Sequence, residues 1–460
     1  MNKHVPSLAS RSDSTTLSLS DSAIPSRWRR FCLAGLLLGF LAFGVVVEIR
    51  SAFLKRHMTD WGVFARAAWA VRAGEDPYAV TDDNGWHYHY PTLFAILLAP
   101  LADPPAGVNR SGYLPFAVTV AVWYLFSLGC LVAAVHLLAS ALEQVSPGLS
   151  SRWWALRVWP VLACLPPIGH TLARGQVNLL LLFLLCGMAA AVLRGRGFQA
   201  GFWLAGAICL KIIPAVLLIY PVWRRDRRCL AGGTLGLILG LGLIPTMVFG
   251  PAKTWAYFRE WDQGLRQPAL AGKGDQSRAK ELIEVTATDS QSILAILHNT
   301  IHFDRATRPA YPDGWVRIAH WLIGGILTAI TILVAGRRVQ SGTRETVFFG
   351  AMLLMMLLLS PVCHLHYFCL LVPLAMGLLA ALWERPTSSY VEISFWLLLG
   401  LNGIASMLPH FPGMEATRDL GLVTYVALVL WLASLALLWK HSRSQGSESA
   451  AHAEVAGVAA

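Results

Sequence analysis

Charge is scarce in this chain. Only 14% of its 460 residues are Asp, Glu, Lys or Arg, against about a quarter in a typical soluble domain. With 55% hydrophobic residues and a mean hydropathy of +0.54, that scarcity excludes an ordinary water-soluble fold. Short segments of alternating polarity are missing, which excludes a transmembrane barrel. None of the eight cysteines forms a CxxC pair, so neither a zinc site nor a disulfide scaffold is expected. The Asp-x-Asp triplet is also absent. Glu260-Trp261-Asp262 and the adjacent Asp82-Asp83 come nearest to it, and no divalent metal or other cofactor is expected. No P-loop or dinucleotide fingerprint occurs, which leaves ATP-driven transport without support.

What the chain has is apolar runs close to the ~20 residues that span hydrocarbon, recurring along nearly its whole length. These runs predict an all-α polytopic membrane protein. The net charge is +11, but the basic residues cluster in short loops between apolar runs. Such clusters follow from the positive-inside rule and call for no nucleic-acid partner. Residues 1–26 are Ser-rich without apolar pattern and are expected to form a disordered cytoplasmic tail, as is the stretch 441–460. A single membrane domain is expected over 27–440, with loops 50–89 and 250–314 on the far side of the membrane. That orientation places both termini in the cytoplasm and suits a multi-pass protein of the bacterial plasma membrane.

The expected spans lie near 31–49, 90–102, 114–141, 154–169 and 176–193 in the first half. Between Arg196 and Arg224 there is room for two short helices that meet at Lys211-Ile212-Ile213-Pro214, where proline interrupts the run. Further spans are expected near 229–249, 315–336, 346–360, 366–383, 391–408 and 420–439. Two cytoplasmic termini need an even count, so about twelve crossings are expected. The proline-interrupted 154–169 region is taken as the segment that does not cross fully.

After the first span come Asp60 and then Trp61, Phe64, Ala65, Ala68 and Trp69 at helical spacing, stopped by Gly74. This pattern predicts an amphipathic helix lying in the membrane interface. Asp60 is either the cap of that helix or a general base for an acceptor hydroxyl. Lys211 stands in an apolar segment, where a cation either snorkels to water or awaits an anion in a wet cavity. Arg174 precedes Gly175-Gln176-Val177-Asn178, whose amides suit either sugar hydroxyls or helix capping and interhelical bonds. His364 and His366, with Tyr367, end a span and are either interfacial histidines or partners of a reacting group. In the expected topology all of these groups collect on the non-cytoplasmic face.

In this order the residues resemble the polyprenyl-phosphate-dependent glycosyltransferases of the GT-C type, family 87. The resemblance rests on Asp60, Gly74-Glu75-Asp76-Pro77-Tyr78, Tyr90-Pro91, Gly175 to Asn178, Lys211 with Pro214, Gln291-Ser292, and Ser360-Pro361 followed by His366. It implies a GT-C-like bundle that takes a hexose, mannose first, or a pentose from a polyprenyl-phosphate-sugar donor. The acceptor it implies is a glycolipid, polysaccharide or protein at the outer face of the bilayer. Asp60 matches the family's base and His366 its histidine. Cys363-His364 stands where relatives often carry Ser-Trp, which makes His364 a rival for that role. Lys211 and Arg174 are expected at the donor phosphate. Tyr78, Tyr90, Gln176, Asn178, Gln291 and Ser292 are expected around the substrates. A transporter or lipid flippase is the competing class, because a broken helix with a midplane lysine also suits transport. Against it, no self-similar halves occur. A non-catalytic scaffold for envelope assembly is a third reading.

Overall fold

The computed structural model describes residues 26–54, 59–268, 281, 290–337, 342–384 and 388–439. The expected tails, apart from Ser26, lie outside these residues. The regular structure of the described residues is helical, with only two isolated bridges, Thr81 to His87 and Ser290 to His364. In chain order the helices begin with α1 (Ser26–Glu48), α2 (Thr59–Ala73), α3 (Thr92–Leu97), α4 (Phe116–Val145), α5 (Trp153–Ala163) and α6 (Leu165–Arg174). Then follow α7 (Asn178–Leu193), α8 (Gly197–Leu210), α9 (Ile219–Arg224), the continuous α10 (Arg227–Phe249) and α11 (Pro251–Trp261). The last six are α12 (Ile293–Ile301), α13 (Gly314–Ala335), α14 (Gly342–Leu359), α15 (Val372–Glu384), α16 (Ser389–Met407) and α17 (Leu422–Trp439).

Among the described residues, eight helices are long and apolar enough to cross a membrane, and α7, α8 and Ile213–Arg224 are shorter apolar ones. Burial divides the long helices. Gly342–Leu359 and Leu365–Glu384 are enclosed almost completely and form the centre. Helix α1, α13 and α16 leave large apolar side chains outside, among them Leu38, Ile318, Leu322, Leu397 and Leu401. A belt of exposed leucine and isoleucine on long helices is what a hydrocarbon solvent requires, since every backbone polar group is already satisfied within the helix. The protein is a multi-pass membrane protein.

Two expectations about the crossings change. Segment 90–102 yields only the six-residue α3 and a 3-10 turn, Ala99–Leu101, too short to span. Segment 154–169, set aside as incomplete, instead forms α5 and α6, which run back alongside α4. At one end Arg157 holds Glu143 at 2.5 Å, and at the other the Trp123 indole donates to the Gly175 carbonyl at 2.8 Å. The 22 residues from Trp153 to Arg174 rise about 33 Å. Pro160 lies within α5, and Pro166 and Pro167 open α6 just after the break at Cys164. The 250–314 stretch, expected as a polar loop, also carries α11 and α12.

Helix α2 forms where the apolar spacing places it, and protein covers it on nearly every side. Trp61, Phe64, Ala65, Ala67, Ala68 and Ala70 are all buried. Trp61 stacks on Trp123 with ring centroids 5.0 Å apart and donates to Thr119 Oγ1 at 3.2 Å. Arg66 is buried as well, donating to the carbonyls of Asp103 and Thr81 and to Asp83 at 2.8 Å. Helix α2 is thus wedged beneath its own loop.

The hairpin that carries Lys211 is held by a backbone-to-backbone crossing of α8 and α10. A Cβ added at Gly201 would lie 1.8 Å from the Cys229 carbonyl oxygen, and one at Gly232 would lie 2.0 Å from that of Phe198. Small residues let membrane helices approach this closely. Gly201→Val is expected to cost about 3 kcal/mol or more, since neither backbone can yield as a side chain would. A fall in melting temperature and in monodisperse yield from detergent checks it.

Candidate active site

Eight segments converge on one cavity of about 530 Å³. Asp60 enters from the first turn of α2, where a carboxylate is favoured by the helix dipole. Its Oδ2 accepts from Arg174 Nε at 2.9 Å. Arg174 ends α6, and Gly175 follows in the left-handed conformation at φ 69°, a geometry that suits glycine. That turn is pinned by the bond from Trp123 and by Gln176 N–H donating to the Thr171 carbonyl at 3.0 Å. Gln176 then accepts from the Tyr90 hydroxyl at 3.3 Å.

Lys211 comes from the break between the two short helices. It caps α8 in an extended conformation, and a 3-10 turn starting at Ile213 leads on to α9. Its Nζ donates to Asn178 Oδ1 at 3.3 Å and sits 3.7 Å from the centre of the Tyr367 ring and 5.5 Å from that of Tyr90. Among the described residues it has no carboxylate within ion-pair reach. Aromatic faces and one amide oxygen favour the charge without neutralising it.

His364 ends the loop after α14, and His366 lies in the first turn of the 3-10 segment Leu365–Leu371. Their rings stack 5.2 Å apart, and His170 meets the His366 ring edge-on at 5.5 Å. Both nitrogens of His366 are buried without a hydrogen-bond partner. Among the described residues neither histidine bonds to Asp60. Asp60 is bonded instead by Arg174. The reason is that Thr171 and Asn178 grip the His366 carbonyl and fix the loop by its backbone.

Of the residues expected here, Asp60, Tyr90, Arg174, Gln176, Lys211, His364 and His366 line the cavity. Tyr78, Asn178, Gln291 and Ser292 do not. Tyr78 is buried, and its hydroxyl donates to the Tyr90 carbonyl at 2.9 Å. Asn178 stands behind Lys211. Gln291 and Ser292 brace the 360–364 loop from outside: Gln291 N–H donates to the Cys363 carbonyl at 2.5 Å and Ser292 Oγ to that of Pro361 at 2.9 Å.

Sequence reasoning missed a second polar group. Glu281 Oε1 pairs with His87 Nδ1 at 2.7 Å, and its Oε2 accepts from His87 N–H and meets His89 Nε2, each at 2.9 Å. All three line the cavity beside Trp86. The alternation His87-Tyr88-His89-Tyr90 was the available signal. Burial disfavours the charged carboxylate, but these bonds outweigh it and hold the Glu281 carboxyl at about 2, down from 4.5. A depressed carboxyl stabilises the fold above its unfolded value and loses that contribution as pH falls towards its folded one. The melting temperature of wild type should thus exceed that of Glu281→Gln by a constant margin above about pH 5. That margin should shrink between 4.5 and 2, as read by pH-resolved thermal denaturation.

Much of the remaining lining is apolar, with Val63, Phe64, Ile213, Val216, Trp321 and Leu359 among it. Such a space fits a ligand with a long apolar part and a charged head. Residues 88–361 match the family described as glycosyltransferase family 87. The chain belongs to this family. The matched stretch holds Tyr90, Arg174, Gln176, Lys211 and Pro361, while Asp60 and His366 flank it. A polyprenol-phosphate-mannose-dependent alpha-(1-2)-phosphatidylinositol mannoside mannosyltransferase of Mycobacterium tuberculosis is 28% identical over 67% of this chain and 65% of its own length. A polyprenol-phosphate-mannose-dependent alpha-(1-2)-phosphatidylinositol pentamannoside mannosyltransferase of Mycolicibacterium smegmatis is 25% identical over 80% of each chain. ArnT from Cupriavidus metallidurans bound to undecaprenyl phosphate covers 88% of this chain and 77% of its own at 15% identity, with a TM-score of 0.35, too low to argue from. For this family 87 member the chemistry rests on its own cavity.

Proposed function

We propose that the protein transfers a mannosyl residue from a polyprenyl-phosphate donor to a hydroxyl of a glycolipid acceptor. The observation that carries this reading is Lys211: a cation without a carboxylate partner among the described residues, in a largely apolar cavity that it shares with the carboxylate of Asp60. The prenyl chain lies along Ile213, Val216 and Leu359, where each buried methylene contributes about 0.8 kcal/mol. Its phosphate meets Lys211. The acceptor hydroxyl bonds to Asp60, whose Oδ1 is not engaged by Arg174. Attack of the acceptor oxygen on the anomeric carbon breaks the bond to the phosphate oxygen and inverts the configuration. The acceptor proton passes to Asp60. The leaving phosphate is already an anion, so it needs cations and no acid.

Arg174 links the two halves of the reaction. Paired with Asp60 before the donor binds, it is drawn towards the arriving phosphate and leaves the carboxylate free to accept a proton. His366 and His364 supply further hydrogen-bonding edges at the same wall. The cavity opens on the non-cytoplasmic face of the plasma membrane, with both termini on the cytoplasmic side. The family relationship and the relatives' names favour this reading over a transporter.

Purified protein in nanodiscs, given radiolabelled polyprenyl-phosphate sugars and envelope lipids, tests it. Labelled glycolipid is expected from the mannose donor and wild type. Absence of product with every donor and acceptor fraction overturns the reading.

A further inference from the structure

Resting on that reading, we propose that Trp86, His87, His89 and Glu281 form the subsite that holds the sugar of the acceptor. These residues line the same cavity as Asp60 and Lys211, and the transfer chemistry leaves them without a task. Their geometry is prepared in advance. The buried Asp82 carboxylate accepts from Asn84 N–H at 3.0 Å, from the Asn84 side chain at 2.9 Å and from Trp86 N–H at 2.9 Å. The bridge between Thr81 and His87 closes the turn. The turn is thus built by Asp82 and does not depend on Glu281, which reaches it from 194 residues away.

The chemistry of the group selects its ligand. Glu281 uses three acceptor positions on the two histidines, and a carboxylate has about four. With His87 Nδ1 facing Glu281, Nε2 lies on the opposite edge of that ring. Trp86 is 43% exposed and presents an indole to the cavity. A carboxylate repels a phosphate, so this group does not suit the head of the donor. An aromatic face beside hydrogen-bonding edges of both kinds suits a neutral ring bearing several hydroxyls. Glu281 orients that ring so that one hydroxyl meets Asp60.

The test uses octyl α-mannoside as a neutral acceptor probe, with the full chain in nanodiscs free of sugar detergents. Wild type is expected to bind it saturably. Glu281→Gln is expected to weaken that binding about tenfold, the scale of one hydrogen bond to a charged group, and Trp86→Ala by up to about tenfold, the scale of one aromatic contact. In transfer assays Glu281→Gln raises KM for the mannoside and leaves KM for the donor unchanged, a split that loss of folding would not produce. Lys211→Ala should still bind the mannoside. No saturable binding by wild type, or binding by Glu281→Gln and Trp86→Ala as tight as that of wild type, overturns the subsite. Glu281-dependent binding without any mannosyl transfer overturns the transferase reading and leaves the subsite standing.

Discussion

Asp60→Asn should reduce kcat/KM for sugar transfer by roughly 10²–10⁴-fold, the span usual for a lost general base, while donor binding is retained. The substitution is close to isosteric. An Asn side-chain oxygen still accepts from Arg174 Nε, which now donates to Oδ2 at 2.9 Å, so the end of α6 keeps its anchor. Trp61 next to it stays stacked on Trp123, and α2 stays in place. What disappears is proton acceptance. Arg174→Ala distinguishes base from ion pair: it removes the partner and keeps the carboxylate. On the proposed mechanism Arg174→Ala impairs donor KM as well as kcat, whereas Asp60→Asn falls almost wholly on kcat. Full activity in an Asp60→Asn protein that inserts and folds would leave Asp60 as no more than a favourable charge in the first turn of α2. The readout is steady-state transfer with donor and acceptor varied separately.

Much of this arrangement is legible from residue type alone, and the illegible part has a physical reason. Asp60 and Lys211 stand out because charge in or beside apolar runs is costly unless used. Pro214 marks the break that exposes Lys211. The same reasoning overreaches at Tyr78, Asn178, Gln291 and Ser292. A polar residue near a site serves a substrate or a backbone carbonyl equally well, and here all four hold Tyr90, Lys211 or the 360–364 loop. Glu281 was invisible because its partners are 194 and 192 residues away. Hydropathy also misjudged the crossings. It credited 90–102 for its apolar content, though α3 ends after six residues, and discounted 154–169 for its prolines. It missed the burial of α2 too, since alanines at Ala65, Ala67, Ala68 and Ala70 leave no outward polar face to read.

Lys211→Ala should lower kcat by about 10²–10³-fold, the scale for removing one preorganised group facing developing charge, and raise donor KM with it. The double effect follows from where the charge sits. Phosphate is anionic in the bound donor and becomes more so as the anomeric bond breaks, so Lys211 contributes to both states and more to the second. Its surroundings hold the ammonium in position: Asn178 Oδ1 at 3.3 Å and the Tyr367 ring centre at 3.7 Å. Neither is an anion that the phosphate must displace. Lys211→Arg is a sharper probe than alanine. A guanidinium keeps the charge but is planar and longer, and it cannot point into the space between Tyr367 and Asn178 as a compact ammonium does. Partial recovery of donor KM without recovery of kcat is therefore expected for Lys211→Arg. An unchanged donor dependence in Lys211→Ala would remove the phosphate from this end of the cavity and leave Arg174 as its partner.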